Sequence, residues 1–165
     1  MASTKKSIPN PFNVEVDGDV RIAIIRAQWN EHITAELAKG CVETLEKHGV
    51  NSDFIDEYTV PGAIELTFAS AQAIISDAYD AVIAFGCVIR GETPHFDYVC
   101  QSVTQGITYL NSEYEVPTIF GVLTVNDEQQ ALDRIGGRCG HKGVEAAEAA
   151  LSMVRLKRDF QDLIE

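Results

Sequence analysis

At 165 residues, 45% hydrophobic and 23% charged, the chain has the size and composition of one domain with a core of its own. A formal net charge of −12 and a pI near 4.6 argue against nucleic acid or an anionic membrane surface as partner. Any anionic ligand must then be held by a few local cations, because the general field repels it.

The opening residues, "MASTKKSIPNPF", hold two of the five prolines and no apolar stretch behind their lysines, so they are no secretory signal. Residues 1–18 read as a flexible arm, with room for a short extra strand at 12–16. "VRIAII" (20–25) is a β-branched run of the kind buried on both sheet faces. Ile33, Leu37, Cys41 and Leu45 then recur at helical spacing, with Gly49 as the stop. "DFIDEYTV" (53–60) reads as a second strand, "AIELTFASAQAII" (63–75) as a helix and "AVIAFGCVI" (81–89) as a third buried strand. Phe96, Val99, Val103, Ile107 and Leu110 mark the next helix, and "PTIFGVLTV" (117–125) a fourth strand. A short helix "DEQQALDRI", a glycine-rich turn "GGRCGHKG" and a closing helix "VEAAEAALSMVRLKRDF" complete the chain. Four buried strands alternating with helices, in units of about 30 residues, predict a single α/β domain over 19–165 with a parallel sheet covered on both faces. No run approaches the roughly 18 apolar residues of a membrane span. Four cysteines without a C-x-x-C pair suit a reducing compartment, so a cytoplasmic protein is expected.

In an open α/β sheet, ligands bind beyond the C-terminal ends of the strands. Those ends carry Arg26 and Trp29-Asn30, then "VPGAIE", then "IRGETPH", then Thr124. Thr93 is a good N-cap, and Pro94 suits a first helical position, so this helix start presents free N–H groups to an anion. Alone, that is a capped helix with an incidental histidine; beside a strand's C-terminal end, His95 reads as a general acid or base. Arg134, Arg138 and Lys142 stand among four glycines in "RIGGRCGHKG", where backbone and cations can approach an anion; the spacing is not that of a P-loop, and a solvated connection fits equally well. Trp29, the sole tryptophan, can stack on a flat ring or fill core. Glu65 can cap its helix or accept from ligand hydroxyls. Cys139 and His141 lack the further ligands of a zinc site, so no metal is expected.

These segments together resemble the 6,7-dimethyl-8-ribityllumazine synthase family. "VPGAIEL", "GCVIRGETPHFDYV", "FGVLT" and "EQQALDRIGGRCGHKGVEAA" carry the likeness in order and spacing, from Val20 to about Lys157. The resemblance implies a flavodoxin-like three-layer α/β/α sandwich on a four-stranded parallel sheet. It implies condensation of 5-amino-6-ribitylaminouracil with 3,4-dihydroxy-2-butanone 4-phosphate, releasing phosphate and water, without cofactor or metal. His95 would transfer protons; Glu92, Thr93, Arg134 and Lys142 would hold the phosphate. Trp29 would stack on the pyrimidine, with Ala63, Ile64 and Glu65 along ring and ribityl chain, and Cys87, Val88 and Ile89 at the pyrimidine end. Phe120 would reach in from a neighbouring subunit, since family members form pentamers with the active site at the subunit interface, and in some twelve pentamers close into an icosahedral shell. The turn between Arg134 and Lys142 has no insertion of the kind seen in members that stop at pentamers, which favours the shell. Departures from the family pattern are Trp29 and Ile64, where phenylalanine is frequent, and His141, where asparagine is common.

Other readings make different demands. A receiver domain needs acidic residues where this chain has Arg26 and Arg90, and a flavodoxin needs a phosphate loop where it has "RAQWNEHIT". A related pentameric riboflavin synthase would release no phosphate, and a silent homologue would bind without turnover.

Overall fold

A computed structural model describes residues 18–164. Four parallel strands, β1 (Ile22–Ala27), β2 (Ile55–Val60), β3 (Ala81–Ile89) and β4 (Thr118–Val125), form one sheet in the order β2-β1-β3-β4. Helices α1 (Glu31–Lys47), α2 (Glu65–Ile75) and α3 (His95–Glu113) connect them in turn. A short α4 (Glu128–Leu132) and a long α5 (Lys142–Gln161) follow. The expected strand at 12–16 and nearly all of the arm lie outside the described residues.

Alternation along the strands sorts the side chains into two cores. Ile22, Ile24, Ile83 and Phe85 face α1 and α5, meeting Leu37, Cys41, Ala147 and Leu151. Ala23, Ile25, Val82 and Ala84 face α2 and α3, meeting Leu66, Ile74, Val103 and Ile107. The result is the three-layer, flavodoxin-like α/β/α sandwich that the sequence predicts.

The layers on the α1/α5 side pack closely. Gly143, at the start of α5, lies against the Leu37 carbonyl, and Gly40 lies against the His141 ring, in contacts that leave no room for a Cβ. On the other face Asn111 ties α3 to the start of β4: its Nδ2 donates to the Thr118 carbonyl at 2.8 Å, and its Oδ1 accepts from the Thr118 N–H at 2.9 Å.

Three expectations need correction. First, β2 is not a buried strand: it is a sheet edge, with Glu57, Tyr58 and Thr59 exposed. Charged side chains there suit an edge, and Asp56 is used locally, accepting from Arg21 at 2.8 Å and from the Tyr79 hydroxyl at 3.0 Å. Second, the first strand starts at Ile22 rather than Val20 and runs on to Ala27. Third, the glycine-rich turn is not merely a connection. Two short antiparallel strands, β5 (Ile135–Gly137) and β6 (Gly140–His141), pair within it, and Gly136 and Gly140 have φ of 103° and 80°. This pairing starts α5 at Lys142, where His141 Nδ1 accepts the Gly143 N–H at 3.1 Å. Among the described residues, no helix is long and apolar enough to cross a membrane.

Candidate active site

The chain leaves β1 for β2 on one side and later returns to lay β3 on the other, so a crevice opens between the C-terminal ends of β1 and β3. An open groove of about 550 Å³ lies there. Ala27 and Trp29 line it after β1; Pro61, Gly62, Ala63, Ile64 and Glu65 after β2; Cys87, Val88, Ile89 and Gly91 at the end of β3. Thr93, His95, Phe96 and Val99 close it at the start of α3.

Trp29 stands at the rim, 74% exposed, so it presents a ring face rather than filling core. Its loop is fastened by backbone bonds: the Gln28 N–H donates to the Val60 carbonyl at 2.8 Å and the Trp29 N–H to the Pro61 carbonyl at 3.1 Å. Glu65 accepts the Gly62 N–H at 2.9 Å, so one carboxylate oxygen stiffens the turn entering α2. The floor is apolar. Burial pushes the Cys87 thiol up to about 11, with the Glu128 carboxylate adding to the rise, so it remains a neutral thiol at neutral pH.

The start of α3 opens onto the groove through Thr93 and His95. The expected Thr93 cap falls one residue early: Pro94 takes the N-cap position of α3 at φ −62° with no side-chain cap bond, and the Thr93 hydroxyl accepts the His95 N–H at 3.4 Å. The 19 residues of α3 aim their positive end here. His95 is exposed, on the groove wall beside that helix start. Arg90 adds a cation on the same loop, lying 4.2 Å over the Phe96 ring and 3.5 Å from the Asp97 carboxylate.

Of the sequence-predicted residues, Trp29, Ala63, Ile64, Glu65, Cys87, Val88, Ile89, Thr93 and His95 converge on this groove. Glu92 is exposed between two lining residues without lining it. Phe120, Arg134 and Lys142 do not line the groove of their own chain. Phe120 lies on the edge strand β4 and is 42% exposed. Arg134 donates to the Gln130 carbonyl at 2.6 Å, and Lys142 pairs with Glu145 at 2.8 Å. Sequence reasoning missed Ala27, Pro61, Gly62, Gly91, Phe96 and Val99 as lining residues. The last two were marked only as helix-face residues, and their place in the first turns of α3 was the available signal.

The sequence profile of the 6,7-dimethyl-8-ribityllumazine synthase family matches residues 19–158. The 6,7-dimethyl-8-ribityllumazine synthase of Porphyromonas gingivalis is 56% identical over 140 residues, covering 85% of this chain and 87% of its own. Those of Parabacteroides distasonis and Phocaeicola vulgatus are 53% and 50% identical, over 87% and 94% of this chain and 90% and 89% of theirs. The match spans every strand of the sheet and every residue lining the groove, and on it the chain belongs to the 6,7-dimethyl-8-ribityllumazine synthase family.

Proposed function

We propose that this chain catalyses a step of riboflavin biosynthesis, condensing 5-amino-6-ribitylaminouracil with 3,4-dihydroxy-2-butanone 4-phosphate to 6,7-dimethyl-8-ribityllumazine. The amine adds to the ketone, water leaves to form a Schiff base, phosphate is eliminated, and ring closure expels a second water. Each step moves protons between nitrogen, carbon and oxygen, which one positioned acid–base group can serve. The observation that carries the reading is the single groove in which an exposed aromatic ring, a carboxylate, an apolar floor and a histidine at a helix N-terminus face one another. Trp29 would stack on the pyrimidine, Cys87, Val88 and Ile89 would bound it, and Ala63, Ile64 and Glu65 would follow the ribityl chain. His95 would carry the protons next to the phosphate bound at Glu92 and Thr93. No metal or cofactor enters this scheme.

The same reading makes the enzyme a homo-oligomer with its active site completed across subunits. Arg134, Lys142 and Phe120 have the chemistry to hold phosphate and cover a ring, yet they stand away from their own groove. A second copy can supply them. Exposed apolar side chains on α2, α3 and β4, with Phe68, Ile75, Tyr98, Tyr109 and Phe120 among them, favour such an assembly. The pentamer, and an icosahedral shell of twelve, are the assemblies to test by light scattering and negative-stain microscopy. A cytoplasmic setting suits four cysteines that are all free thiols.

Purified protein incubated with both substrates, with lumazine absorbance and free phosphate followed together, tests the activity. Both signals rising in step support it. Consumption of added lumazine in a separate incubation, without phosphate release, would indicate riboflavin synthase chemistry instead, and binding of both substrates without either signal would sink the enzyme reading.

A further inference from the structure

Asn30 occupies the N-cap position of α1, where an asparagine side chain ordinarily bonds the helix's own N–H groups. Here it does not. Its backbone is left-handed, at φ 58° and ψ 45°, and its Nδ2 donates to the Cys87 carbonyl at 2.9 Å, across the crevice on β3. The αL conformation is uncommon outside glycine, though asparagine tolerates it best. Here it turns the side chain away from the helix and toward the groove floor.

The other bonds of this loop run elsewhere. Gln28 and Trp29 are tied to the β2 side, and the Thr34 hydroxyl donates to the Ala27 carbonyl at 2.7 Å within the loop and helix themselves. Among the described residues, Asn30 supplies the hydrogen bond that joins the β1–α1 loop to β3. Its sequence neighbour is Trp29, whose ring projects into solvent at the rim and depends on the backbone beneath it for its direction. Cys87, the acceptor, lines the floor of the same groove.

We infer that Asn30 is a positioning residue, which sets the distance and angle between the Trp29 ring and the β3 floor and so determines the width of the slot for a flat heteroaromatic ring. This rests on the reading of Trp29 as the stacking residue. Two groups fixed on opposite walls act on a planar ligand only when their separation matches its thickness, and a bond between the walls holds that separation before the ligand arrives.

Because Trp29 is the sole tryptophan, its emission reports the proposal directly. Asn30→Gly keeps the left-handed backbone without strain and removes the bond; Asn30→Asp keeps the side-chain shape and replaces the donor by an acceptor facing a carbonyl. Both should lower the fluorescence anisotropy of Trp29 in the free protein. Both should also raise by about fivefold, the equivalent of one lost hydrogen bond, the concentration of 5-amino-6-ribitylaminouracil that half-quenches the emission. KM for that substrate should rise in parallel while KM for the butanone phosphate holds, a split that a general loss of stability would not produce. Wild-type anisotropy and quenching in Asn30→Gly would overturn the inference. A wild-type protein whose emission ignores the pyrimidine would overturn the stacking reading instead, and the anisotropy comparison would still judge the anchor.

Discussion

Gly143→Ala tests how rigidly the α1/α5 layer is built. A Cβ at this position would lie 2.0 Å from the Leu37 carbonyl oxygen and 2.9 Å from Cε1 of His141. Cβ atoms do not approach other atoms within 3.0 Å, so the two helices must part by about 1 Å. Overpacking a core costs about 1–3 kcal/mol, and the obstruction here is backbone with no rotamer to move into, so about 3 kcal/mol is expected. The better helix propensity of alanine returns about 1 kcal/mol at most. A net loss of about 2 kcal/mol corresponds, for a chain of this length, to a melting point lower by about 4–8 °C. Thermal unfolding followed by circular dichroism, at matched protein concentration, measures it. Gly91→Ala, where a Cβ meets nothing within 4 Å, is the control and should stay within about 0.5 kcal/mol of wild type. If Gly143→Ala melts with the wild type, the layer yields freely and the close approach of α1 and α5 contributes nothing to stability.

His95→Ala should reduce kcat by about 10²-fold, the lower range for loss of a general acid–base group, with both KM values little changed. A fall of less than about threefold would remove His95 from proton transfer. Arg134→Ala should raise KM for the butanone phosphate well above its effect on the pyrimidine, and an equal rise for both would refute a phosphate role. The pH dependence of stability should show the buried thiols. Cys87 keeps its proton up to about 11, while an unfolded cysteine ionises near about 8.5, so its contribution is complete below about 8.5 and is lost as pH rises toward about 11. Burial raises the Cys41 thiol in the same direction. Cys87→Ala should flatten the alkaline fall in stability measured by urea unfolding, and an unchanged slope would show that Cys87 does not contribute to it.

The buried strands were legible because sheet burial writes itself as an unbroken apolar run: β3 occupies the nine residues that "AVIAFGCVI" marks. The edge strand was harder, since Asp56, Glu57 and Tyr58 have the polar alternation of any half-exposed strand and nothing local says which strand ends the sheet. The hairpin in the glycine-rich turn was hidden for a different reason. Gly136 and Gly140 are equally compatible with a loose loop, and the pairing of Ile135 with His141 and of Gly137 with Gly140 makes the turn a hairpin. The groove was readable from topology, because any residues just past β1, β2 and β3 must meet. Asn30 was not readable: an asparagine before a helix reads as a cap, and its bond to Cys87 spans 57 positions of sequence. Arg134 and Lys142 stood out by charge among glycines and Phe120 only through the family resemblance, and all three stand away from the groove of their own chain.

The two faces of the sheet answer to different variables. On the α1/α5 side Gly143 meets Leu37 backbone against backbone, so the stability held in that contact is unimolecular and indifferent to dilution. On the α2/α3 side, Phe68, Ile75, Tyr98 and Tyr109 are exposed, and under the proposed assembly whatever they contribute would be realised between copies and would scale with protein concentration. Substitutions on the first face should therefore shift melting by the same amount at every dilution. Those on the second should matter least where the protein is most concentrated and most where it is scarce. A dilution series of paired variants would sort the residues of this fold into those that make a subunit and those that make an assembly.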